Sequence, residues 1–156
     1  LEGVIAHELA HIGNKDILIS SVVAILAGII VHLVHISAFS RGNDNRGSGI
    51  LGIIAIVVAP IAATLIQLAV SRSREFQADT TAALITKNPD GLAKALRKIH
   101  DGNHHRPLAS ASNATAHMYI SNPFGADAGE EGPGAFAKLF MTHPPVEERV
   151  AKLKSV

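Results

Sequence analysis

The residues most able to do chemistry lie in Val4-Ile5-Ala6-His7-Glu8-Leu9-Ala10-His11-Ile12. This is H-E-x-x-H in an Ala-, Leu- and Ile-rich background without Gly or Pro, so a helix is predicted. Residues four apart share a helix face with Cβ atoms about 5–6 Å apart, so His7 and His11 can grip one ion. Zinc suits two neutral imidazoles, each at roughly 2.0–2.1 Å. Glu8 is displaced around the helix from that pair, near the metal but poorly placed to ligate it. A general base for a metal-activated water belongs there. Two imidazoles do not complete a zinc site, so a third ligand is required.

Composition limits where that ligand comes from. There is no cysteine, which excludes disulfides and thiolate sites and leaves His, Asp and Glu. The 156 residues suffice for one ordinary core. They are 47% hydrophobic and 17% charged with a mean hydropathy of +0.27, which points to membrane segments. A formal charge of +1 with scattered Lys and Arg gives no case for nucleic acid. The chain opens at Leu1 in helix-forming sequence, without Met or a signal-peptide pattern, so a fragment lacking its N-terminal part is expected.

The third ligand must be delivered by elements farther along the chain. Ile12 to Asp16 reads as a short polar collar. Ile17 to Phe39 has no acidic or basic residue besides His32 and His35, and spans roughly 34 Å as a helix, enough to cross a bilayer. His32 lies about 32 Å along that helix from His11, so it and His35 are read as interfacial residues and not ligands. Ser40 to Gly49 is a polar, Gly-rich turn. Ile50 to Val70 is a second uncharged run, with a kink expected at Pro60. A pair of buried helices in a soluble domain is the competing reading, and two such runs exceed what so small a core covers.

A membrane hairpin returns the chain to the surface it left. The segment after Val70 is thereby delivered beside the H-E-x-x-H helix. Glu75 and Asp79 lie four apart on a predicted helix ended by Asn88-Pro89. Glu75 would complete a His, His, Glu set and leave a fourth zinc position for water. Asp79 suits an acceptor for a ligand imidazole N–H, fixing its tautomer. A solvated acidic pair balanced by Arg72 and Arg74 is the bland alternative.

Beyond Asp90, Leu92, Ala95, Leu96 and Ile99 form an apolar stripe on a helix closed by Asp101-Gly102. Asn103 to Ala116, with His104 and His105, reads as surface loop, Ala116 to Phe124 as a short extended piece, and Gly125 to Gly134 as loop. Phe136, Leu139 and Phe140 are core candidates. Thr142 is the expected N-cap of a last helix, Pro144 to Lys154. His143 at that junction is either a helix-start residue or a hydrogen-bond donor to an oxyanion. Arg149 is either a partner of Glu75 or Asp79 or a surface cation.

His7-Glu8-Leu9-Ala10-His11, the hairpin, Arg74-Glu75-Phe76-Gln77-Ala78-Asp79 and Thr142-His143-Pro144-Pro145, in this order, resemble an HtpX-type membrane zinc metalloprotease, a family related to the CAAX prenyl proteases. The resemblance covers essentially the whole chain. It implies one zinc on His7, His11 and Glu75, Glu8 as catalytic base, and favours the oxyanion reading of His143. It also implies protein or peptide substrates among damaged or misfolded membrane proteins, cut on the cytoplasmic side of the cell's inner membrane. Lys15, Arg72 and Arg74 flank that side, against Arg41 and Arg46 in the opposite loop.

The expected architecture is mainly α with little or no β: a gluzincin helical core interrupted by a transmembrane hairpin. Residues 1–16 form the active-site helix, 17–70 the hairpin, and 71–156 the rest of one catalytic domain. Two other readings are a membrane zinc-binding scaffold without turnover, indifferent to Glu8, and a soluble gluzincin peptidase.

Overall fold

The computed structural model describes residues 1–40, 46–105, 120, 141 and 143–156. These form five helices: α1 (Glu2–Gly13), α2 (Asp16–Ser40), α3 (Arg46–Thr86), α4 (Pro89–His105) and α5 (Val146–Leu153). No strand occurs among the described residues. Thr142, the predicted extended piece apart from Ile120, the Gly125–Gly134 loop, and Phe136, Leu139 and Phe140 lie outside them, as do the side chains of His104 and His105.

The hairpin is α2 and the first half of α3, packed along each other through small residues such as Ala27 and Ala63. Both helices are long and apolar enough to cross a membrane, and only 6% and 0% of their most apolar stretches are buried. Ile25, Ile29 and Leu33 on α2 and Ile53, Val57 and Ile61 on α3 stand exposed. A soluble core would cover such residues, so the burial pattern argues against the paired core-helix reading.

The second apolar run and the Glu75 segment prove to be one helix. α3 runs 41 residues, about 61 Å of helical rise, and Pro60 lies inside it without ending it. Its apolar part stops at Val70, and the Arg72 to Asp79 stretch continues the same helix beyond it with charged and polar residues.

That projecting half packs on α1, α4 and α5. α1 buries Ala6, His7 and Ala10, and α3 presents Ala78, Ala82 and Ala83. Small residues on both faces let the backbones approach closely. Leu92, Ala93 and Leu96 of α4 with Val146, Val150 and Leu153 of α5 complete the core. Buried Ala93 was not in the predicted stripe, whose Ala95 and Ile99 are half-buried.

Three boundaries differ from expectation. α4 continues past Gly102 to His105, since a lone glycine costs a helix only about 1 kcal/mol. α5 begins at Val146 with Pro145 in the cap position, not at Pro144 behind a Thr142 cap. A residue preceding proline is pushed off the α region, which keeps Pro144 out of the helix. Finally, α1 ends through Lys15, whose φ of 56° is left-handed without being glycine. That turn is short enough for Asp16 to open α2 directly beneath His11.

Candidate metal centre

One helical turn of α1 and one of α3 build the site. The Nε2 atoms of His7 and His11 face each other at 3.0 Å. Glu75 Oε2 lies 3.7 Å from His7 Nε2, and Glu75 Oε1 lies 3.6 Å from His11 Nε2. The ligand atoms of these three residues fall within 4.8 Å of one another, the one such group among the described residues.

The opposite edge of each imidazole meets a carboxylate. His7 Nδ1 is 3.0 Å from Asp79 Oδ1, somewhat off the line of an ideal hydrogen bond. His11 Nδ1 is 2.6 Å from Asp16 Oδ2. An ionised carboxylate only accepts, so it draws the imidazole proton to Nδ1 and leaves a lone pair on Nε2. The centre is then a convergence of acceptors: two nitrogen lone pairs and a carboxylate. Glu75 Oε2 is buried without a hydrogen bond. Two imidazoles with one carboxylate are a donor set that fits a metal such as zinc.

Arg149 is the hub behind the centre. It is 1% exposed and donates from Nε to Asp79 Oδ2 and from Nη2 to Asp79 Oδ1, both at 2.7 Å. Its Nη1 donates to the Ile120 carbonyl at 2.7 Å and lies 3.3 Å from Glu75 Oε2. The surface-cation reading of Arg149 is thereby excluded. Burial alone would push the Asp79 carboxyl up; the hydrogen bonds and charges of Arg149 and His7 outweigh it and hold Asp79 below the usual carboxylate range. Glu75 behaves alike: burial raises it, while His143, Arg149 and His7 bring it lower. Burial would lower Arg149, and Asp79 more than restores it.

His7, Glu8, His11, Glu75 and His143 line one cleft that continues between the hairpin helices past Ser20 and Gln67. Glu8 is exposed to it. His143 Nδ1 is 3.6 Å from Glu75 Oε2, and both its ring nitrogens are buried without a hydrogen bond. All six residues singled out from the sequence therefore converge. His32 is exposed on α2, and His35 Nδ1 donates to the Val31 carbonyl at 2.8 Å, both outside the site.

Three contributors were not anticipated: Asp16, Arg74 and the Ile120 carbonyl. Arg74 Nε donates to Asp16 Oδ1 at 2.6 Å and its Nη2 also pairs with that carboxylate. A carboxylate at the mouth of an apolar run was the available signal for Asp16.

The whole chain, residues 1–156, matches the model of Peptidase family M48. It is similar to proteins named "Protease HtpX homolog": 51% identical over 163 residues to that of Pyrococcus abyssi, 44% over 165 to that of Syntrophobacter fumaroxidans, and 49% over 163 to that of Pyrococcus furiosus. Each match takes in 100% of this chain and 54%, 56% and 54% of the respective relative, so the chain spans about half the length of these curated relatives. No solved structure matches it. With its full length matched and relatives near half identical, the chain belongs to Peptidase family M48, among the HtpX-type metallopeptidases.

Proposed function

We propose that this chain carries the catalytic centre of a membrane-embedded zinc endopeptidase, with His7, His11 and Glu75 as ligands of one zinc ion. The observation that supports it is the meeting of two Nε2 atoms at 3.0 Å with a buried, incompletely paired carboxylate beside them. When bound, zinc supplies Lewis-acid chemistry, acidifying water and polarising a carbonyl oxygen.

Glu8 faces the cleft and does not enter the ligand cluster. It accepts a proton from the attacking water as the new C–O bond forms, and returns it to the amine as the C–N bond breaks. His143, with its ring nitrogens unengaged, donates to the oxyanion of the tetrahedral intermediate. Asp79 holds the His7 tautomer. The likeness to HtpX homologues and the exposed apolar hairpin favour protein substrates drawn from damaged or misfolded membrane proteins. Lys15, Arg72 and Arg74, grouped at the base of the hairpin, support the reading that cleavage takes place on the cytoplasmic side of the inner membrane.

The deciding experiment compares zinc content and casein or self-cleavage in the detergent-solubilised full-length protein. Glu8→Gln should keep one zinc and lose cleavage, whereas Glu75→Ala should lose both. Cleavage that survives Glu8→Gln would favour a zinc-binding scaffold with contaminating activity.

A further inference from the structure

His11 is the less enclosed ligand candidate, its side chain 25% exposed against 1% for His7. Packing fixes His7; something else must fix His11. Behind His7 stands a carboxylate, Asp79, clamped by Arg149. The same construction recurs behind His11 with unrelated residues. Asp16 is 6% exposed and gives Oδ2 to His11 Nδ1 and Oδ1 to Arg74 Nε, each at 2.6 Å. Arg74 is itself held, donating from Nη2 to the Asn14 carbonyl at 3.1 Å and from Nη1 to Gln77 Oε1 at 2.6 Å.

The origin of these residues gives the relay its meaning. Asp16 is the first residue of α2, and Arg74 lies one turn beyond the apolar part of α3. The carboxylate orienting His11 is therefore supplied by one leg of the hairpin and clamped by the other. We propose that Asp16, held by Arg74, is a positioning residue that fixes the ring and tautomer of His11, so that metal affinity depends on how the base of the membrane hairpin closes. The inference rests on the metal-centre reading. Without Asp16, His11 could rotate or move its proton to Nε2, and either change removes a ligand lone pair.

The test uses the full-length protein in detergent, measuring zinc affinity by competition with a chromogenic chelator and the helicity of the zinc-free protein by circular dichroism. Asp16→Ala should weaken zinc binding by about 10–100-fold. Arg74→Gln, which keeps the carboxylate but frees it, should weaken binding by a smaller factor. Zinc-free helicity should match the parent in both, which a purely structural role would not produce. Should Asp16→Ala fail to fold, Asp16→Asn and Arg74→Gln carry the comparison. Affinities within twofold of the parent in the folded variants overturn the proposal. If the parent binds zinc through Glu75 but ignores these changes, this inference alone fails. If the parent binds none, or Glu75→Ala binds as well as the parent, the metal-centre reading fails with it.

Discussion

Arg149 and Asp79 form a two-pronged buried ion pair, with both N···O distances at 2.7 Å, tying α5 to the projecting half of α3 across 70 positions of sequence. The same guanidinium reaches toward Glu75, so one cation neutralises two buried carboxylates. Arg149→Met fills a similar volume but strands both charges. Breaking a buried pair from one side typically costs about 3–5 kcal/mol, whereas replacing both partners with apolar groups is often close to neutral. Thermal unfolding of the zinc-free full-length protein should show a large loss for Arg149→Met and a smaller one for Arg149→Met with Asp79→Leu. Equal losses would mean that the pair's charges are not what holds α5.

Why some of this site was legible and some not comes down to distance along the chain. His7, Glu8 and His11 declare themselves because a helix puts i and i+4 together without help from tertiary structure. Glu75 was legible one step later, since an out-and-back pair of apolar runs has to return near its start. Asp16 was not, and read as part of a polar collar. Its partner Arg74 is 58 positions away, and the left-handed turn that drops it beneath His11 is made by Lys15, where no glycine marks it. The continuity of α3 was hidden for a related reason. The change from apolar to polar and charged sequence at Ser71 does not end the helix, which runs on to Thr86. Arg149 had two readings because burial of an arginine depends on which carboxylates folding brings to it.

His143 tests the catalytic half of the proposal. Both its ring nitrogens are buried and without hydrogen bonds, beside Glu75 and facing the cleft. A donor used chiefly for the oxyanion should matter more in the transition state than in the substrate complex. His143→Ala is expected to lower kcat by about 10²–10³ with little change in KM. Zinc content should stay at one per chain. A raised KM at unchanged kcat would instead make His143 a substrate-binding residue.

The ion pair between Arg97 of α4 and Glu147 of α5, 3.1 Å at its closest, offers the opposite case to Arg149. Arg97's hydrogen bond is the main cause that holds the Glu147 carboxyl below its ordinary 4.5; partial burial opposes it, and the charges of Arg97, His100 and Lys154 add smaller pulls downward. A folded-state pKa below the unfolded one adds stability that is present above the unfolded pKa and fades as pH falls through the folded value. The window is therefore below about pH 4.5. Both side chains are well exposed, so salt screens the pair. Glu147→Gln should lower the unfolding midpoint only slightly at pH 7, less in high salt, and the difference should close on acidification. A difference that widens toward pH 3 would contradict the assignment.

The close approach of α1 to α4 depends on Gly3, one turn ahead of His7. A Cβ added there would sit 3.0 Å from Leu92 Cα, 3.1 Å from its Cβ and 3.2 Å from its backbone nitrogen. Two of those atoms are backbone, so no side-chain rotation relieves the clash, and the helices must part. Alanine gains up to about 1 kcal/mol of helix propensity over glycine, while overpacking costs about 1–3 kcal/mol. The balance favours loss. Gly3→Ala should destabilise the zinc-free protein by about 1 kcal/mol and, by lifting α1 from its seat, weaken zinc binding as well. Gly13, with nothing within 4 Å of its added Cβ, supplies the control: Gly13→Ala should leave zinc affinity unchanged. A Gly3→Ala variant more stable than its parent, with undiminished zinc affinity, would show that the contact with Leu92 does not constrain α1.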